Sequence, residues 1–303
     1  MLAKKPGTGD PLHTKEPVTV ASFRTWRGWR ENVARDRCLT PFILARIIAF
    51  SEAAVGLVMQ SRVAACRVPA IVLENYVMIE AAMKRRPSLE LLDTDAGTER
   101  EIAGSLRDLQ MFNEWFGGIR TTEILVRRAL TKNRRQSASL LEVAAGAGFV
   151  PTTIQRRLSA NLDLAVTLLD RARSHLNGNV RSVAGDALAL PFADNSFDLV
   201  CCNLFVHHLA PQEVRQFARE ALRVCRIAFL INDVVRSPLH LALTYAGFPL
   251  YRSRITRNDA PASVRQAYTP AELHDLLQPL TVERVQISRH CLYRMGIIVW
   301  KNA

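Results

Sequence analysis

The residues with the clearest chemical potential lie between Glu142 and Asp233. Glu142-Val143-Ala144-Ala145-Gly146-Ala147-Gly148 sets a carboxylate at the end of an apolar run and follows it with a turn of small residues. Small side chains let a backbone approach a ligand closely, and a helix opening after the turn offers free N–H groups. Asp170 closes a second apolar run, Val166-Thr167-Leu168-Leu169, about 22 positions after Gly148. Nucleotide-binding α/β folds place a carboxylate for ribose hydroxyls about 20 positions beyond their glycines. Asp163 precedes its strand instead of following it, which leaves Asp170 the better placed. Asp186, in Ala184-Gly185-Asp186-Ala187, follows a third short run and can accept a hydrogen bond from an exocyclic amine.

Three further groups suit reactions or substrate contacts. His207-His208 follows the fourth apolar run, where a neutral imidazole could take a proton from a phenol or an activated carbon acid; packing beside a ligand is the alternative role. Asn232-Asp233 ends a fifth run, on the edge where side chains of an open α/β sheet meet ligands or cap the next helix. Tyr245 lies in the aromatic segment from Val234 to Ala267 and is a candidate substrate contact. The six cysteines show no C-x-x-C spacing, so neither zinc nor dithiol chemistry is expected from them.

These groups need a particular scaffold. Thr98-Glu99-Arg100-Glu101 reads as a capping box, with Ile102, Leu106, Leu109, Phe112 and Phe116 as the apolar stripe of the helix it opens. A second helix is expected near Thr121–Leu130. Apolar runs at Leu140–Ala144, Leu164–Leu169, Val180–Val183, Phe197–Cys202 and Ile227–Ile231 then alternate with helical stretches at Pro151–Leu158 and Pro211–Val224, the βαβ rhythm of a parallel sheet. Thr269-Pro270-Ala271-Glu272 is a second capping box, and strand-like runs at Val282–Ser288 and Met295–Trp300 close the chain.

Glu142–Gly148, Asp170, Gly185–Phe192 and Ser196–Val200, in this order and spacing, resemble the class I S-adenosylmethionine-dependent methyltransferases. The likeness is to the small-molecule branch that includes ubiquinone and menaquinone C-methyltransferases. The resemblance implies a Rossmann-like seven-stranded sheet, mostly parallel with an antiparallel last strand and helices on both faces. It implies S-adenosylmethionine along the strands' C-terminal edge, with Glu142, Ala144, Ala145, Gly146 and Gly148 at the methionine part. Asp170 with neighbouring Arg171 would meet the ribose, Asp186 and Ala187 the adenine, and Asn203 completes the cofactor set. Alanine at 144 and 145 departs from the glycines usual there, and would be strained where φ is positive. The implied reaction is O- or C-methylation of a small, fairly apolar acceptor, and 234–267 falls where relatives carry a substrate-covering insertion. A non-catalytic S-adenosylmethionine-binding protein and an RNA methyltransferase are the rival readings; Asn203-Leu204-Phe205-Val206 lacks the Asn/Asp-Pro-Pro-aromatic motif of base-amine methylation.

Composition bounds the rest. The 303 residues carry a net charge of +12, but the basic residues are dispersed and not interleaved with aromatics, so no nucleic-acid partner is expected. The densest basic stretches, Lys84-Arg85-Arg86, Arg134-Arg135 and Arg156-Arg157, read as solvated faces. No secretory signal is visible after Met1, and a cytoplasmic, reducing location is expected. Phe42–Met59 is apolar but interrupted by Arg46 and Glu52, so no membrane span is expected, with interfacial contact left open. Residues 1–86 are expected to form a helical or partly disordered extension, with two helices over Phe42–Met83 broken near Pro69, and 87–303 the methyltransferase domain.

Overall fold

Local signals open the fold where the sequence places them. In the computed structural model the described residues are 83–302, apart from 95–96, 132–135, 172–180, 281 and 291–292. The N-terminal extension up to residue 82, with its proposed helices and the Phe42–Met59 run, lies outside them. Thr98 caps helix α1 (Glu99–Trp115): its Oγ1 accepts from Glu101 N at 3.3 Å, and the Glu101 carboxylate accepts from Thr98 N at 2.9 Å. Then follow α2 (Gly118–Thr131), β1 (Ser137–Val143), α3 (Phe149–Leu158), β2 (Asp163–Asp170), β3 (Ser182–Ala184), β4 (Phe197–Asn203), α4 (Pro211–Val224) and β5 (Cys225–Val234). The chain continues through α5 (Pro238–Ala246), α6 (Arg254–Gln266), α7 (Pro270–Leu277), β6 (Arg284–His290) and β7 (Arg294–Trp300).

The seven strands run in the order β3-β2-β1-β4-β5-β7-β6. Pairs β1–β2, β1–β4, β2–β3 and β4–β5 are parallel, whereas β7 is antiparallel to both β5 and β6. This is the sheet the resemblance implies. Alternation across the central strands feeds two cores: Leu140, Leu168, Cys201 and Leu230 pack with α2 and α3, while Leu141, Val143, Cys202 and Phe229 face α4 and α7. Cys201 and Cys202 thus enter opposite cores as small buried hydrophobes. Reversal of strand order beside β1 opens the crevice in which such sheets bind ligands.

Two expectations change. The buried face of α1 is not the Ile102–Phe116 stripe, since Leu106 is exposed, and Gly104, Ser105, Asp108, Met111 and Asn113 are the buried residues. Asp108 explains the rotation: its carboxylate accepts from Arg252 N at 2.8 Å and Thr256 Oγ1 at 2.8 Å, tying α1 to α6 through a buried polar anchor that hydrophobic periodicity does not register. Nor is Arg85 part of a solvated face. It donates to the carbonyls of Gln266, His207 and Leu209 at 2.6, 2.8 and 2.9 Å and lies over the Tyr268 ring. Residues 83–94 thereby lie along the body of the sheet domain: Arg236 Nε donates to Met83 O at 2.6 Å, and Leu91 N donates to the Asp259 carboxylate at 2.9 Å. No helix among the described residues is long and apolar enough to cross a membrane.

Candidate functional site: the C-terminal edge of the sheet

The turn from β1 into α3 is built on left-handed backbone. Ala144, Gly146 and Gly148 have φ of 55°, 50° and 71°, whereas Ala145 is not among the positive-φ residues. Gly148 is forced twice over, because a Cβ there would meet Leu168 Cδ1 at 2.4 Å. Gly146 differs: a Cβ would find nothing within 4 Å, so its backbone borders open space. Ala144 is the departure that carries strain, roughly 1–2 kcal/mol for an L-residue in this region, partly offset by the backbone entropy that glycine would lose. Ala144→Gly is therefore expected to stabilise the chain by about 0.5–1 kcal/mol in urea unfolding. Equal or lower stability would show that the turn relieves the strain another way.

Asp170 ends β2 and is almost fully buried. Its Oδ2 accepts from Gly146 N at 2.7 Å, and Ala145 N donates to Leu169 O at 3.0 Å, so the small-residue turn is fastened across to the carboxylate on the neighbouring strand. Arg171 is exposed beside it. Asp186, also exposed, uses Oδ1 to accept from Leu188 N at 2.8 Å, which shapes the turn after β3; Ala187 is buried against the core.

Glu142 lies within the sheet, fully buried one residue before the end of β1. Its Oε1 accepts from Asn203 Nδ2 at 2.6 Å, while Oε2 has no partner better than the neighbouring Cys201 thiol, a weak donor. Burial pushes this carboxyl up to about 7, against the lowering influence of Asn203. Asn203 Oδ1 accepts from Asn232 Nδ2 at 2.8 Å and from the Thr122 hydroxyl, and Asn232 Nδ2 also reaches Gly118 O at 2.8 Å. Behind them Arg294, buried, reaches Asn113 Oδ1 at 3.2 Å. Three strand ends and α2 thus share one polar network around Glu142. A buried carboxylate oxygen in want of a donor, at the strand end that leads into a glycine turn facing open space, fits the ammonium end of an amino-acid-bearing ligand.

His207 and His208 occupy a 3-10 turn after β4. His207 Nδ1 is 2.6 Å from Asp233 Oδ1, its backbone N donates to Asp233 Oδ2 at 3.1 Å, and its Nε2 is 3.6 Å from Glu90 Oε1. Burial alone would lower the imidazole's pKa, but the Asp233 and Glu90 carboxylates outweigh it and raise it to about 10. Asp233 is held below the usual carboxylate range because the His207 cation offsets its burial. Both His207 ring nitrogens thus face carboxylates, Asp233 at Nδ1 and Glu90 at Nε2. His208 is half-buried, its Nδ1 3.0 Å from Asp93 Oδ2.

Asn232 and Asp233 are adjacent in sequence but serve different clusters, one around Glu142 and one around His207. Tyr245 joins neither: it is exposed on α5, bonded to Arg265 and packed beside Phe248. Sequence reasoning missed Thr122, Asn113, Arg294 and Glu90. Thr122 carried a faint signal as a polar residue at the start of a helix preceding β1; Glu90 carried none.

Comparison with known proteins places this edge in context. A family model described as a methyltransferase domain matches residues 141–228. An uncharacterized methyltransferase of Bacillus subtilis, YcgJ, is 30% identical over 102 residues, covering 32% of this chain and 40% of that protein. The ubiquinone/menaquinone biosynthesis C-methyltransferase of Roseobacter denitrificans is 33% identical over 102 residues, covering 30% of this chain and 40% of its own length. The chain thus spans about two fifths of each of these relatives. Among solved structures, the plantazolicin methyltransferase BpumL, crystallised with a pentazolic desmethylPZN analog and SAH, covers 78% of this chain and 100% of its own at 11% identity, with a TM-score of 0.53. That likeness concerns the fold.

Proposed function

We propose that this chain, which carries a class I S-adenosylmethionine-dependent methyltransferase domain, transfers the cofactor's methyl group to an oxygen or carbon of a small, fairly apolar acceptor. The observation that carries the reading is the junction of β1 and β2. The Gly146 backbone N–H and the Asp170 carboxylate meet at 2.7 Å across two strand ends, and Glu142, near the end of β1, keeps a buried, poorly partnered oxygen.

The residues divide the work by position. Glu142 would receive the amino group of the cofactor's methionine part, Gly146 would border it without a side chain, and Asp170 would take the ribose hydroxyls through charge-assisted hydrogen bonds. Asp186, Ala187, Arg171 and Asn203 lie along the same edge. When bound, the cofactor supplies an electrophilic sulfonium methyl. The chain's part is to hold the acceptor in line with that methyl, and such alignment contributes several kcal/mol without a covalent intermediate.

The apolar acceptor is supported by the place of α5 and α6 in the chain, where the resemblance implies a substrate-covering insertion and where Leu239, Tyr245 and Leu250 are exposed apolar side chains. Carbon as a possible accepting atom is supported by the likeness to the ubiquinone/menaquinone C-methyltransferase. Incubation of the full chain with methyl-labelled S-adenosylmethionine and a panel of phenols and quinone precursors tests this. Label extractable into organic solvent is expected; label confined to RNA, or no transfer with any acceptor, would overturn it.

A further inference from the structure

The His207 cluster has a composition that the methyl-transfer reading does not use. Glu90, His207 and His208 each offer one ligand atom, and these atoms lie within 4.8 Å of one another. We propose that they form a site for a divalent transition metal of the zinc type, which fastens the segment around Glu90 to the turn after β4.

The donor set is one imidazole-binding metals favour: two ring nitrogens and a carboxylate oxygen. Its spacing is close to that of a loaded site. Donors about 2.0–2.1 Å from a tetrahedral zinc sit roughly 3.4 Å apart, and His207 Nε2 and Glu90 Oε1 are 3.6 Å apart. His207 is also oriented as a ligand should be. Its Nδ1 is bound to the buried Asp233 at 2.6 Å, which fixes the ring and turns Nε2 toward Glu90, the carboxylate–histidine–metal arrangement of many metal sites.

Glu90 is held in place as well, its Oε1 accepting from Ser263 Oγ at 2.6 Å and Gln266 Nε2 at 2.7 Å on α6. His208, its ring tilted against that of His207 with centroids 4.2 Å apart, has Asp93 at 3.0 Å, which can orient it or supply a fourth ligand. Three carboxylates therefore surround two imidazoles. One divalent ion answers that charge balance directly, with Arg85 directed to the carbonyls of His207 and Leu209 as a nearby positive charge. Such an ion would bond residues over a hundred positions apart in the chain, and its binding is independent of whether the methyl-transfer reading holds.

The test uses the full chain without an affinity tag of histidines. Metal analysis after purification, followed by chelator stripping and calorimetric titration with zinc chloride, is expected to give one equivalent bound at micromolar Kd or tighter. Cobalt(II) should bind in its place with the visible absorption of a four-coordinate nitrogen and oxygen site. Glu90→Gln and, separately, the half-buried His208→Gln should each weaken zinc at least tenfold, the lower end of the usual cost of losing a supporting residue. Absence of heat with zinc and cobalt in the stripped wild type would overturn the proposal. So would zinc binding undiminished in both variants, which would place the metal on other histidines of the chain.

Discussion

Glu142→Gln is expected to make the cofactor-free chain more stable and its hold on S-adenosylhomocysteine weaker. Glu142 is fully buried, and its carboxyl titrates at about 7 instead of the ordinary 4.5. A carboxyl whose folded pKa is raised favours its protonated form in the fold, so it imposes no penalty below about pH 4.5. The penalty grows as pH rises through 7 and is then constant. At about 1.4 kcal/mol per unit, it reaches up to about 3 kcal/mol at pH 8. Glutamine keeps the oxygen that Asn203 bonds and removes the ionisation, so its melting temperature should exceed the wild type's by several degrees at pH 8 and match it near pH 5.

Binding should move the other way. An ammonium group beside Glu142 is best received by the carboxylate, so at lower pH the ligand must displace a proton. Wild-type affinity for S-adenosylhomocysteine should fall up to about tenfold per unit as pH drops below 7, and in the glutamine variant this slope should vanish. Calorimetry at pH 5.5, 6.5 and 7.5 together with thermal unfolding checks both halves. A variant that is less stable at pH 8, or that keeps the slope, would mean Glu142 is not the titrating residue at the methionine end.

The second large effect is expected at Asp170. Its Oδ2 fastens the turn through Gly146 N, and in the proposed complex the carboxylate takes the ribose as well. Asp170→Ala is expected to cost about 1–3 kcal/mol of binding, a 5- to 150-fold loss of affinity, by removing charge-assisted hydrogen bonds. Since Asp170 also anchors Gly146, a stability loss of the size of one such bond should accompany it. Affinity equal to the wild type's at unchanged stability would move the ribose contact elsewhere.

Much of the frame was legible because it is local. The runs that became β1, β2, β4 and β5 are apolar and short, and the Thr98 and Thr269 capping boxes form as their spacing demands. Pro211–Val224 is a helix over the residues its pattern marks. What the sequence hid is polar and long-range. Asp108 turned α1 away from its apolar stripe because three groups of the α6 region bond it, and no periodicity records a buried carboxylate. The same holds for the His207 cluster: the histidines are conspicuous, but Glu90, which sets their environment, lies over a hundred positions away, at the start of the expected domain, where no motif marks it. The alanine at 144 could be flagged, yet its strain follows only from a φ that the sequence does not specify.

We propose that the β1–β2 edge binds S-adenosylmethionine. Calorimetric titration of the full chain with S-adenosylhomocysteine at pH 7.5 tests it most directly. One site at low-micromolar Kd or tighter is predicted, with stabilisation of about 2.7 kcal/mol when free ligand stands at 100 times Kd. No heat and no shift in unfolding temperature at millimolar ligand would contradict it.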